Sequence, residues 1–98
     1  MTRKEIIHEI WNEREQQGER EGYDEYHDDG PEHDAGQLSE AAAAYCLGAT
    51  RKAANLWPWG DGFKPKDRRR DLIRAAALIV AEIERLDRIA ALKEPNRG

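Results

Sequence analysis

Ninety-eight residues, 37% charged and 39% hydrophobic with a net charge of −4, suit one small domain, or part of one completed by a partner, and exclude a second domain. No run of 18 apolar residues is present and Met1-Thr2-Arg3-Lys4-Glu5 leads into a helix without a signal-peptide apolar region, so a soluble, cytoplasmic protein is expected. Residues 1–36 hold 4 Lys/Arg against 12 Asp/Glu, net −8, whereas residues 37–98 hold 12 against 8, net +4, and this acidic balance with only a short basic run argues against broad nucleic-acid binding.

The first helix is predicted over about residues 3–17. Thr2 and Glu5 have capping-box spacing, in which each side chain accepts from the other's free backbone N–H. Ile6, Ile7, Ile10 and Trp11 form one apolar stripe, after which the face is polar up to Gly18. Arg14 and Gln17, one turn apart, point the same way just before a stretch rich in His, Asp and Tyr. That stretch, residues 22–34, has almost nothing apolar to bury and reads as a loop between helices, the usual place for binding groups.

The second helix is predicted over about residues 35–54. Asp34 and Gln37 repeat the cap spacing, and the run that follows is rich in Ala, the best helix former. Leu38, Tyr45 and Leu47, with Ala41, Ala42, Gly48 and Ala49 between them, suit close approach of another helix; Gly48 inside the pattern signals tight packing or a break. The single Cys46 excludes an intrachain disulfide and reads as a small buried hydrophobe. Residues 55–66, with two prolines and two glycines, form a compact aromatic loop.

A third helix is predicted over about residues 66–93, with a flexible tail at 94–98. Leu72, Ala76, Ile79, Ile83, Leu86 and Ala90 form a 4-3-4-3-4 stripe, widened by Ile73, Leu78, Val80 and Ile89, with Arg70, Arg74, Arg85 and Arg88 on the far side. So wide a stripe exceeds what two short helices cover, so a homo-oligomer through the 66–93 face is expected. No strand-like alternation occurs, and the expected fold class is all-α: a single domain over residues 1–98, a small bundle of three main helices with an acidic loop and a Trp/Pro loop.

Three constellations hold chemistry-bearing groups. His27, Asp28, Asp29, His33 and Asp34 have metal-ligand atom types but match no metal signature; they form a metal site, serve as turn and cap residues or, through His27 and one Asp, act as hydrogen-bonding groups of a ligand pocket, the metal being the least favoured of the three. Trp57 and Trp59, upstream of Lys64, Lys66, Arg68, Arg69 and Arg70, either stack a base beside a phosphate or plug the end of the bundle, with the arginines solvated or paired with Asp61, Asp67 and Asp71. Glu5, Glu9 and Glu13 at i, i+4, i+8, with Glu82 and Asp87 beside the apolar arc of the third helix, offer a weak version of the paired acids of all-α magnesium-dependent nucleotide pyrophosphohydrolases.

Glu13-Arg14-x-x-Gln17, Gly22-Tyr23-x-x-x-His27-Asp28-Asp29, Gln37-Leu38-x-x-Ala41-Ala42-Ala43-Ala44-Tyr45, Trp57-Pro58-Trp59, Lys64-Pro65-Lys66-Asp67-Arg68-Arg69-Arg70-Asp71-Leu72-Ile73 and Ala81-Glu82-Ile83-Glu84-Arg85-Leu86-Asp87 together resemble a family of small phage and prophage proteins. The resemblance spans most of residues 13–88 and departs from the family at Tyr23, where a Trp is expected, and at Gly62-Phe63, where bulkier aromatics are expected. It implies a viral accessory role in a bacterial cytoplasm. A second, shorter resemblance, His8-Glu9-x-Trp11 to Gly18 with Tyr26, Asp28-Asp29, His33 and Leu38, is to ryanodine-receptor repeat domains.

The expected function is therefore binding rather than catalysis: a phage-derived protein holding a nucleotide-like or ADP-ribose-like molecule, a host immune signal among them, with no cofactor and no metal. Arg14 and Arg69 would hold phosphate, Tyr23 or Trp59 would stack a base and Asp28 would accept ribose hydroxyls, with Gln17, His27 and Lys66 completing the site. The alternatives are a module that inhibits a host protein through its acidic face, and the magnesium-dependent hydrolase.

Overall fold

The computed structural model describes residues 1–20, 36–60 and 62–92. Among them the chain is all-α, with α1 at Arg3–Arg20, α2 at Gln37–Leu47, α3 at Arg51–Leu56 and α4 at Arg68–Leu92. No helix among the described residues is long and apolar enough to cross a membrane. The 94–98 tail, and the His/Asp stretch with its Asp34 cap, lie outside the described residues.

Helix α1 starts as its sequence dictates. The Thr2 N–H donates to Glu5 Oε1 at 3.1 Å and the Glu5 N–H to Thr2 Oγ1 at 3.2 Å, closing the capping box. Two hydrogen bonds from Thr2 to the Glu5 carboxylate hold that group's pKa below its ordinary value. The helix runs past Gly18 to Arg20, because Gln17 is buried against α4 and tertiary packing carries the last turn.

The run expected as one second helix is two. Gly36, at φ 88°, precedes α2 with no side-chain cap. Gly48 ends it at φ 71° and ψ −140°, a backbone conformation glycine tolerates and L-residues avoid, while its N–H still donates to the Ala44 carbonyl at 2.9 Å. Thr50 then caps α3, its Oγ1 accepting from the Ala53 N–H at 3.1 Å. Leu38, Ala41, Ala42 and Tyr45 of α2 pack on Ala75, Leu78 and Ala81 of α4, and Cys46, Trp57, Trp59 and Phe63 close around this core. The abundance of alanine lets the two helices approach closely, as the α2 sequence predicts.

Helix α4 is 25 residues long. Asp67 caps it, accepting from the Arg70 N–H at 2.9 Å. Asp71, 1% exposed, accepts from the Lys66 N–H at 2.7 Å, which fastens the end of the aromatic loop to the first turn.

The orientation of α4 corrects the expected one. Arg85 is buried, Arg70, Arg74 and Arg88 are half-buried, and the stripe members Leu72, Ile79, Ile83 and Leu86 are 43–52% exposed. The reason is the partner that α1 supplies. Its inward face carries Glu9, Glu13 and Gln17, with Glu13 and Gln17 buried and Ile7 and Trp11 exposed, so Arg69 and Arg70 of α4 meet its carboxylates. Only Ile6 and Ile10 of the expected α1 stripe are half-buried.

Candidate functional site

The seam between α1 and α4 is a ladder of polar contacts. Arg69 grips the Glu9 carboxylate with two nitrogens, at 2.7 and 3.1 Å. Arg70 forms an ion pair with Glu13, whose side chain is almost wholly buried, and Arg14 pairs with Glu84 at 2.7 Å. The Arg69 hydrogen bonds pull the Glu9 pKa below its ordinary value and raise that of Arg69 in return. Two acids of the N-terminal helix thus meet bases of the C-terminal one, Glu9 with Arg69 and Glu13 with Arg70, while the Arg14–Glu84 pair runs the other way. Arg69 and Arg70 find α1 glutamates, while their sequence neighbours Asp67 and Asp71 accept from backbone N–H groups.

Beyond Glu13 the ladder reaches a junction where polar atoms are buried without full partners. Gln17 is 2% exposed; its Nε2 donates to the Arg74 carbonyl at 3.4 Å, and its Oε1 has no hydrogen-bond partner. The Arg74 guanidinium lies over the Tyr45 ring, 5.5 Å from its centroid, and donates to the Lys64 carbonyl at 3.3 Å, but its buried Nε is unpartnered. Trp57 meets Tyr45 edge-on, with centroids 5.5 Å apart, and its indole N–H is also buried without a partner. Glu13 Oε1, one turn before Gln17, touches Arg70 only as an ion pair. From Gln17 through Arg74 and Tyr45 to Trp57, each member touches the next.

Such atoms carry chemical meaning. A buried donor or acceptor left unmatched costs about 1–3 kcal/mol, and most buried polar groups in proteins are matched by protein, water or ligand. Here two donors, Arg74 Nε and Trp57 Nε1, and an acceptor, Gln17 Oε1, belong to residues linked by contacts through the Arg74 backbone and the Tyr45 ring.

The sequence-predicted residues distribute as follows. Gln17 lies in the junction, whereas Arg14 and Arg69 are held by glutamates along the seam. Trp59 is half-buried, stacked edge-on against Trp57 with centroids 5.0 Å apart, so it belongs to the plug that also includes Phe63. Lys66 is exposed, and its backbone N–H engages Asp71. Tyr23, His27 and Asp28 lie outside the described residues. Sequence reasoning missed Arg74 and the Trp57 indole N–H. The signal for Arg74 was its position on the arginine-bearing face of α4; for Trp57 it was the need of any buried indole to find an acceptor.

Glu5 is spent in the capping box, Glu9 and Glu13 face arginines, and Glu82 binds Arg85 at 2.6 Å while accepting from Ser39 Oγ at 3.4 Å. Among the described residues no group of three or more His, Cys, Asp and Glu is placed to hold a metal ion. An apolar concavity on the outer side of α1, lined by Ile7, His8 and Trp11, shares no residue with the junction. The chain matches no protein-family model, no curated protein and no solved structure.

Proposed function

We propose that the chain is a binding protein for a nucleotide-like small molecule, seated by its base or carboxamide edge at the junction of Gln17, Arg74, Tyr45 and Trp57. The observation that carries this is the contiguous set of buried, unmatched donors and acceptors there. Arg14 and Arg69 already hold carboxylates, so a phosphate reaching them must compete with Glu84 and Glu9. The planar edge therefore supplies the specificity, and the phosphates a salt-sensitive increment. The resemblance to small phage proteins supplies the biological setting for this reading: an accessory protein that sequesters a host signal nucleotide in an anti-defence role.

Calorimetry with AMP, ADP-ribose and NAD as probes tests the proposal. Binding of at least one probe is expected, lost tenfold or more in Gln17→Leu and in Trp57→Phe, which keeps an aromatic side chain but removes the indole N–H with its five-membered ring. Absence of binding to all three, with no small molecule retained by the purified protein in native mass spectrometry, ends it.

A second reading, a protein-interaction module that blocks a host enzyme, draws on the outward apolar surface at Ile7 and Trp11. It predicts a partner from host lysate that is lost on Trp11→Glu or Asp28→Ala/Asp29→Ala, with nucleotide binding absent throughout.

A further inference from the structure

We propose that Arg69 and Arg70 form a polyphosphate site that α1 closes as an acidic gate, so that a polyphosphate captures the two arginines only by expelling the helix. Residues 64–74 hold six Lys/Arg against two Asp. Both aspartates accept from backbone N–H groups at the start of α4. Arg69 and Arg70 reach toward α1, where Glu9 and Glu13 stand in the place of an external anion. Arg69 holds its carboxylate with two nitrogens, a fork that suits phosphate equally well. Its side chain is 53% exposed, so an arriving anion can reach it while the gate is shut.

The contact at Arg70 makes the two states exclusive. Glu13 Oε1 is buried and meets Arg70 as a charge contact without a hydrogen bond to any group. The pair therefore has the desolvation penalty of a buried ion pair without the hydrogen bonds that offset it. A phosphate brings more charge and several acceptor oxygens to the same guanidinium. Once Arg70 turns to another anion, Glu13 cannot stay where it is, because a buried carboxylate without its counter-charge is strongly destabilised. Two arginines have to be taken from two glutamates, which favours a chain of phosphates over a single one.

Little that is apolar locks the gate. Among the described residues every buried hydrophobic side chain belongs to α2, α3 or α4, and the core formed by Leu38, Tyr45 and Leu78 closes without α1. Ile7 and Trp11 of α1 are exposed, and the helix packs chiefly on α4. Release returns Gln17 Oε1 and Arg74 Nε, unmatched in the closed seam, to water. The Arg14–Glu84 pair is lost, but Glu84 is 47% exposed and such pairs stabilise little. By linkage, whatever weakens the docking of α1 strengthens anion binding. The gate does not depend on the Gln17 junction, since inorganic triphosphate has no planar edge to place there.

Calorimetry of the full chain with inorganic triphosphate at low salt, paired with amide hydrogen exchange, reads the outcome. Triphosphate is expected to bind, and at saturation α1 amides lose protection while those of α2 keep theirs. Binding that leaves α1 protection unchanged or raises it overturns the gate. Glu13→Gln, which keeps Arg70 and removes the competing charge, should bind several-fold tighter; equal or weaker binding overturns the proposal. Glu13→Leu/Arg70→Met, which removes both charges, should bind roughly tenfold more weakly than the wild type, the loss of one charge-assisted hydrogen bond. Should Glu13→Gln lose helicity, Glu9→Gln at the more exposed rung must give the same gain. No triphosphate binding in the wild type or in either glutamine variant ends the proposal, whereas binding in the glutamine variants alone supports a gate held shut. AMP, ADP-ribose or NAD binding without triphosphate binding removes the gate and leaves the nucleotide reading standing, and the converse removes that reading alone.

Discussion

Helix α4 is held on two sides by opposite means. Toward α2 and the aromatic loop it presents Ala75, Leu78 and Ala81 to Leu38, Ala41, Ala42 and Tyr45, a closely packed apolar contact. Toward α1 it presents Arg69, Arg70 and Arg74 to Glu9, Glu13 and Gln17. The first contact is non-directional and works through area removed from water. The second is directional, sensitive to salt and acid, and includes Glu13, whose burial is tolerable only while Arg70 is present. One helix thus joins a permanent contact to a conditional one, and the unmatched polar atoms lie where the two meet.

The largest expected effect is on the apolar side. Leu78→Ala removes a side chain that is 0% exposed and should cost about 3 kcal/mol, measured as a fall in the urea midpoint. A loss below about 1 kcal/mol would mean that the site collapses freely and that close packing is not what joins α2 to α4.

Next comes the buried charge. Arg70→Met leaves Glu13 without its counter-charge and should cost about 2 kcal/mol, the full buried-pair penalty reduced because Arg70 is itself partly solvated. The double variant Glu13→Leu/Arg70→Met should recover most of that loss, since replacing both members of a buried pair with apolar groups is often close to neutral. If the single and double variants unfold alike in urea, the pair contributes nothing particular and the contrast between the two sides fails.

The smallest effect separates the two sides by pH. Glu9 has a folded pKa below its unfolded one, so the unfolded chain takes up the proton first. The stabilisation from Arg69 is therefore complete above the ordinary glutamate value near 4.5 and lost as pH falls below it through the folded value. Hydrogen exchange should show α1 amides losing protection under mild acid or high salt before those of α2 and the facing turns of α4. Simultaneous loss everywhere would show that α1 is not a separately released element.

The sequence discloses features that neighbouring residues settle between themselves. Thr2 and Glu5 close the predicted capping box, and the Pro/Gly pattern of residues 55–66 marks the loop whose aromatics pack as a plug. Gly48 is flagged as a weak point, though only the structure shows that the chain turns there into a separate α3 capped by Thr50. What sequence does not disclose is which face of α4 turns inward. Periodicity places Ile73 and Leu78 in the core, where they are, but it also places Leu72, Ile79, Ile83 and Leu86 there, which stand outside while Arg69 and Arg70 meet Glu9 and Glu13 about 60 residues away. The same long-range dependence hid the junction, because Gln17 meets the Arg74 carbonyl only across 57 residues of chain.

The three tryptophans make this division visible to light. Trp11 stands 59% exposed on the outer side of α1, while Trp57 and Trp59 sit edge to face in the plug. Emission from the first reports on water and any surface that covers α1. The indole pair, close and nearly perpendicular, couples its transitions and marks the plug by an exciton couplet in circular dichroism. With Trp11→Phe silencing the outer reporter, the remaining fluorescence follows Trp57 and Trp59 together, so changes in the plug become readable from the unlabelled protein.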